Sequence, residues 1–341
     1  MQTHVVQGVP VAFDVNNRAS SIDQYTSNIS LYSVKHGTFG GAKVPYLLQG
    51  ANGPCPLLAI CNILLLNETM SLEKDSKDVE FETLIQRVAN ILIERSTVRH
   101  DSHAAVLDES IGILGNLNKG MDVNIRFTSV DAFDHTKETA VLYLLGIRLF
   151  HAWIVSEDDF TVFPYLSPLS YNEAVEKVAH YEEIKTKAVE SGDFDSAAAN
   201  SDTVHTGETI AQWLHATSSQ ITSDGIIDVN SKMKDNELAM LFRNNHFAVI
   251  CKKEDRLFAL VTDVGFTKTN IMWESLDQLD GDVAYFDSSF LPIGNSAPES
   301  DYEMALRLQY GSPAAVPGIV VPQPVVARPN KKKNACACTI M

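Results

Sequence analysis

The chain has no basic surplus, no paired-cysteine motif, no secretory leader and no apolar run long enough to cross a bilayer. Its 27 lysines and arginines are outnumbered by 43 aspartates and glutamates, for a formal charge of −16. A surface this acidic repels phosphate backbones, which argues against general nucleic-acid binding and favours partners with a basic face. The five cysteines (Cys55, Cys61, Cys251, Cys336 and Cys338) include no CxxC pair, so neither a structural zinc site nor any other metal centre is expected. Their odd number and scattered spacing speak against a disulfide framework and for a reducing, cytosolic compartment. Residues 1–15 show no basic stretch followed by an apolar core, so no leader is expected. The longest apolar run, Pro56 to Leu66, is interrupted by Asn62 and reads as a buried helix.

What is present is an ordinary globular composition, 45% hydrophobic and 21% charged over 341 residues, enough for a sizeable core. Residues 1–28 are polar and weakly patterned and read as a loose arm. Val44 to Leu48 reads as a short strand, followed by the turn-rich Gln49-Gly-Ala-Asn-Gly-Pro-Cys55-Pro and the apolar helix. Helical spacing predicts helices over 79–95, 104–117 and 171–191, and shorter ones over 209–216 and 236–242. Val123 to Phe127 alternates like a strand, 140–155 reads as helix then strand, and 192–206 as a loop. His246 to Cys251 and Leu257 to Thr262, separated by five polar residues, form a hairpin signal, with a third strand expected at 270–273.

Cys55 falls where a loop meets a helix. Free backbone N–H groups and the dipole at a helix N-terminus stabilise a thiolate, the nucleophile of cysteine hydrolases. Gly50 and Gly53 permit tight turns that leave the sulfur open, and Gln49 is placed to offer its amide to an oxyanion. A buried structural cysteine before a core helix is the competing reading, and it is preferred for Cys61 and Cys251. Among ten histidines, His246 is placed best, at the mouth of an apolar strand that holds it rigid. His151 lies in a dense apolar run and reads as a core residue; His100 and His103 read as solvated. If Cys251 pairs with Leu257, Thr262 lies opposite His246 and becomes the first choice to orient the imidazole, with Asp263 second.

The stretches Gln49-Gly-Ala-Asn-Gly-Pro-Cys55-Pro-Leu-Leu-Ala-Ile and Phe242-Arg-Asn-Asn-His246-Phe closely resemble the signature blocks of the MINDY family of deubiquitinases. Further blocks match in order: Gly120-Met-Asp-Val-Asn-Ile-Arg-Phe-Thr, Leu144-Leu-Gly-Ile-Arg-Leu-Phe-His-Ala-Trp153, Leu260-Val-Thr-Asp-Val-Gly-Phe266 and Trp273-Glu-Ser-Leu. The resemblance covers roughly residues 30–290. It implies an α+β fold, a papain-like cysteine protease of variant topology with a helical part and an antiparallel sheet, occupying residues 29–295. It also implies cleavage of isopeptide bonds in lysine-48-linked polyubiquitin, without a cofactor. On this likeness Cys55 is the nucleophile, His246 the base, Gln49 the oxyanion donor, Thr262 the third residue near the histidine, and Asp122 a regulator of access to the cysteine. The alternatives are a catalytically silent ubiquitin-binding module and a cysteine hydrolase or acyltransferase acting on another amide.

From Ser296 the composition shifts. Residues 299–311 hold a short amphipathic helix on which Met304, Ala305 and Leu308 share a face, resembling a ubiquitin-interacting helix of the kind this family carries. A Pro-rich and polybasic linker, 312–335, leads to a tail, 336–341, in which Cys338-Thr-Ile-Met341 fits a prenylation box for a farnesyl group. Cys336 is a palmitoylation candidate, and Lys331 to Lys333 suit an anionic membrane surface. The expectation is a cytoplasmic monomer that visits a membrane through this tail.

Overall fold

The computed structural model describes residues 30–50, 55–98, 104–117, 119–191, 200–276 and 283–293. The chain divides into two compact units, Met1–Pro298 and Glu299–Met341, and every described residue belongs to the first. The expected arm (1–28), ubiquitin-interacting helix, linker and lipidation tail lie outside the described residues, as do Gly53, His100 and His103.

The described part is α+β. A small antiparallel sheet contains β1 (Leu31–Phe39), β2 (Ala42–Leu47) and β3 (Asp78–Glu80) in the order β2-β1-β3. Gly40 (φ 59°) and Gly41 (φ 87°) make the two-residue turn between β1 and β2, a left-handed pair that glycine adopts without strain. The larger sheet contains β4 (Leu149–Phe150), β5 (Leu238–Arg243), β6 (His246–Lys253), β7 (Arg256–Leu260), β8 (Trp273–Ser275), β9 (Tyr285–Phe286) and β10 (Pro292–Ile293). Its order is β10-β9-β8-β7-β6-β5-β4, antiparallel except for the parallel pair β4–β5.

Helix α1 (Cys55–Leu66) packs against β2, β5 and β6, and all of its residues except Cys55 are buried. It is apolar all round, as a helix enclosed on every side must be. Asn62 is the exception in chemistry, and its amide explains why it is tolerated. Its Oδ1 accepts from Leu47 N at 2.6 Å and its Nδ2 donates to Leu47 O at 3.1 Å. The side chain thus satisfies the end of β2 and fixes the helix in register on it. The remaining helices are α2 (Phe81–Val98), α3 (Ala104–Ile113), α4 (Lys137–Leu144), α5 (Phe163–Leu166), α6 (Tyr171–Ser191), α7 (Ser201–Ala216) and α8 (Ser223–Lys232).

The two faces of β6 carry different cores. Phe247, Val249 and Cys251 join the cluster built on α1, whereas Ile250 joins a second cluster with Phe150, Val229 and Ala259. A third cluster, away from α1, is aromatic: Phe127 stands edge-on to Trp153 and Trp213 at 5.5 Å each, and the two indoles stack at 5.7 Å.

Several expectations need correction. Residues 236–242 are not a helix but mostly strand β5, because Leu238, Ala239, Met240 and Leu241 are covered on both sheet faces and carry no alternation to betray a strand. Val123 to Phe127 makes only isolated bridges, at Ile125 and Arg126, and no continuous strand. The loop expected over 192–206 ends early, since α7 begins at Ser201. The third strand of the hairpin lies at Trp273–Ser275 rather than 270–273.

Candidate functional site

Cys55 is the first residue of α1 and is half-buried, packed, like Phe242, against the cluster that includes Phe247. Cys61 and Cys251 are fully buried; burial pushes the Cys61 thiol far up, and it pushes Cys251 up to about 12. Both are therefore inert structural thiols at neutral pH, and Cys55 is the half-open one among the described cysteines.

His246 opens β6 directly after a two-residue turn. Asn244 (φ 49°) and Asn245 (φ 58°) take the left-handed conformation that asparagine tolerates, and Arg243 pairs with His246 across the turn. The turn is braced from outside: Arg243 Nε donates to Ser219 O at 2.8 Å, and Asn244 N donates to Gln220 Oε1 at 2.8 Å. His246 remains open to solvent, yet desolvation by the surrounding protein holds its imidazole below the ordinary value. Strand alternation places it on the face of Ala248 and Ile250, at the sheet's open end, while α1 covers the face of Phe247.

Gln49 follows β2 and is latched to the segment after β7. Its N–H donates to Thr262 O at 2.5 Å, and its carbonyl accepts from Val264 N at 3.2 Å. The structure thus brings Gln49 to Thr262 through the backbone. The β6–β7 register, however, differs from the sequence-based one. Cys251 pairs with Phe258, not Leu257, so continuing the ladder sets position 263 rather than 262 opposite His246. The reason is the turn, which uses only Glu254 and Asp255: of the five polar residues between the expected strands, β6 takes Lys252 and Lys253 but β7 only Arg256, and this asymmetry shifts the register by one. Among the described residues neither Thr262 nor Asp263 hydrogen-bonds the imidazole; Asp263 Oδ1 instead accepts from Gly265 N at 2.6 Å, capping the short 3₁₀ turn Val264–Phe266.

Asp122 is exposed, and its carbonyl accepts from Thr136 Oγ1 at 3.3 Å; among the described residues its carboxylate makes no hydrogen bond or ion pair. His151 is buried, accepts from Trp153 N at 3.3 Å and is pushed down to about 4 by burial, which makes it a neutral core residue. Among the described residues no cluster of His, Cys, Asp or Glu is suited to a metal ion.

A family model described as MINDY deubiquitinase matches residues 30–290. The chain belongs to the MINDY deubiquitinase family. Among its relatives is mouse ubiquitin carboxyl-terminal hydrolase MINDY-2, 34% identical over 297 residues, covering 82% of this chain and 47% of that protein. Rat MINDY-1 is 32% identical over 305 residues (83% and 60%), and Pongo abelii MINDY-1 is 33% identical over 313 residues (84% and 63%). The chain thus spans about half to two thirds of the length of these relatives. The MINDY match contains α1, the Gln49 latch and the whole β5–β6–β7 hairpin pair, so Cys55, Gln49, His246 and Thr262 all lie inside it.

Two residues that hold these parts together escaped sequence reasoning. Asn62 was visible only as a break in an apolar run. Lys35 lies in β1 with its ammonium turned onto the carbonyls of Phe266 and Ile271, and nothing in an alternating strand distinguishes it from a solvated lysine.

Proposed function

We propose that the chain is a thiol-dependent deubiquitinase that hydrolyses isopeptide bonds in polyubiquitin, with lysine-48-linked chains as the preferred substrate. The observation that carries this is a half-open cysteine at the head of a buried helix, in a chain of the MINDY family; the helix packs on strand β6, which begins at His246, with the imidazole on the strand's other face. A buried apolar helix set against an antiparallel sheet supports a papain-like reading of the fold.

His246 takes the proton from Cys55, and the thiolate attacks the carbonyl of the distal ubiquitin's C-terminal glycine. The lowered basicity of His246 leaves it neutral near pH 7, the state a general base requires. Gln49 and a backbone N–H near Cys55 hold the oxyanion. The lysine amine departs with the proton from His246, and water then hydrolyses the thioester. By the family likeness, and not by the observed register, Thr262 is the residue assigned to orient the imidazole and Asp122 the one assigned to control access to the sulfur.

Met304, Ala305 and Leu308 supply a further ubiquitin contact. Farnesylation at Cys338, with palmitoylation at Cys336, holds the cytoplasmic enzyme on an anionic membrane; mass spectrometry of the tail tests this.

The test of activity is incubation of the protein and its Cys55→Ala variant with lysine-48-linked tetraubiquitin under reducing conditions. Cleavage by the wild type and none by the variant is expected. Binding without cleavage by the wild type replaces the proposal with a silent ubiquitin-binding module. An intact chain together with no labelling of Cys55 by a ubiquitin C-terminal electrophile points to a hydrolase of another amide.

A further inference from the structure

Lys35 occupies an unusual position for a lysine. It lies mid-strand in β1, half-buried, paired in register with Tyr46 and with its ammonium 5.9 Å from that ring's centre. Its Nζ donates to Phe266 O at 2.8 Å and to Ile271 O at 2.7 Å. Among the described residues it has no carboxylate partner. A charge taken part-way out of water for two backbone carbonyls is costly unless the geometry it enforces is useful.

That geometry concerns the segment between β7 and β8. The segment leaves the large sheet at the end where β6 begins, passes Thr262 and Asp263, and returns through Ile271 to β8. The small sheet grips it twice. At the near end Gln49 exchanges backbone hydrogen bonds with Thr262 and Val264. At the far end Lys35 ties Phe266 and Ile271 together, the two carbonyls that bracket the return of the loop. Leu48 N donates to Ser33 O at 2.8 Å, so the strand carrying Lys35 and the strand that leads into Gln49 are tied in one ladder. Loosening the far end frees the loop to pull away from Gln49, and the residue offered to the oxyanion loses its fixed neighbour.

We infer that Lys35 is a positioning residue, an ammonium strap that holds the Thr262–Ile271 loop on the small sheet and thereby fixes Gln49 for catalysis. The inference rests on the deubiquitinase reading for its catalytic consequence, and on hydrogen bonds alone for the strap. Burial lowers the Lys35 ammonium to about 8, the cost expected of a lysine held in this position.

The experiment uses the full chain with Lys35→Met, which keeps the stem and removes the donors, and Lys35→Arg, which keeps a charge and donors. Amide hydrogen exchange at Gln49 and Val264 reports the strap without any substrate, so it stands whatever the outcome with ubiquitin. Exchange at both amides at least tenfold faster in Lys35→Met, with exchange in the α1 amides unchanged, is the expected result. With lysine-48-linked tetraubiquitin, kcat falls roughly tenfold or more while KM stays within about threefold, since a displaced oxyanion donor weakens the transition state more than substrate binding. Lys35→Arg recovers part of both effects. Unchanged exchange at Gln49 and Val264 overturns the strap; faster exchange with unchanged kcat overturns its role in positioning; a loss spread equally over all amides reduces Lys35 to a general stabiliser and overturns both. Should wild type cleave no ubiquitin while the exchange result holds, the activity reading fails and the strap remains.

Discussion

Strand β6 begins and ends with the same device, and only one end carries the proposed chemistry. Each end closes in a two-residue turn with both residues left-handed: Asn244 and Asn245 at φ 49° and 58°, Glu254 and Asp255 at φ 49° and 61°. At the far end Lys253 Nζ reaches Asn236 Oδ1 at 3.0 Å, Glu254 N donates to Asp235 Oδ1 at 2.7 Å and Lys252 Nζ donates to Asn230 O at 2.7 Å, a polar rim and nothing more. At the near end stand His246, neighbouring Phe247 in the core cluster that α1 shares, and the loop that Gln49 and Lys35 grip. The difference teaches that hairpin geometry does not make a site. The site arises where the hairpin meets a helix start and a second sheet.

The largest effect separates the two ends. His246→Gln is expected to lower the rate of chain cleavage by at least about 10³-fold with the melting temperature held, whereas Glu254→Gln at the far turn leaves the rate within about twofold. Equal losses from both would erase the distinction. Next comes the anchoring of α1, the helix that the near end depends on. Asn62→Ala orphans the buried N–H and C=O of Leu47 and should cost about 2–3 kcal/mol in urea unfolding.

A smaller effect depends on pH and reads the sheet face that His246 shares. Glu274 pairs with Ala259 on that face, and burial raises its carboxyl to about 7 from an ordinary 4.5, against the pull of the Arg243 charge. The folded state therefore holds a proton that the unfolded chain releases. That contribution is complete below about pH 4.5 and is lost as pH rises through about 7. Glu274→Gln should leave stability unchanged at pH 4 and raise it by about 1 kcal/mol or more at pH 8, seen as a flattened plot of melting temperature against pH. The smallest effect sharpens the far end: Glu254→Asn with Asp255→Gly installs residues that accept left-handed φ and should add about 0.5–1 kcal/mol with no change in rate.

How much of this was legible depended on how strongly each residue's pattern betrayed its surroundings. Helix α6 was read to its limits because Ala174, Tyr181 and Ala188 are buried at helical spacing among charges. The hairpin was read because polar residues separate two apolar runs, but its register was missed by one: sequence does not say how many residues a turn consumes. Strand β5 was misread because burial on both faces removes the alternation that marks a strand. Cys55, with a glycine-rich loop before it and an apolar helix after it, stood out; Asn62 and Lys35 did not. Their partners, Leu47 and the carbonyls of Phe266 and Ile271, are backbone groups, and a backbone group leaves no trace in composition.

The amide of Asn62 has one more consequence. A helix bolted to its neighbouring strand by both faces of a side-chain amide cannot slide or roll without tearing two buried bonds. On the proposed reading, the sulfur at the head of that helix is therefore an immobile anvil, and the substrate carbonyl must be delivered to it.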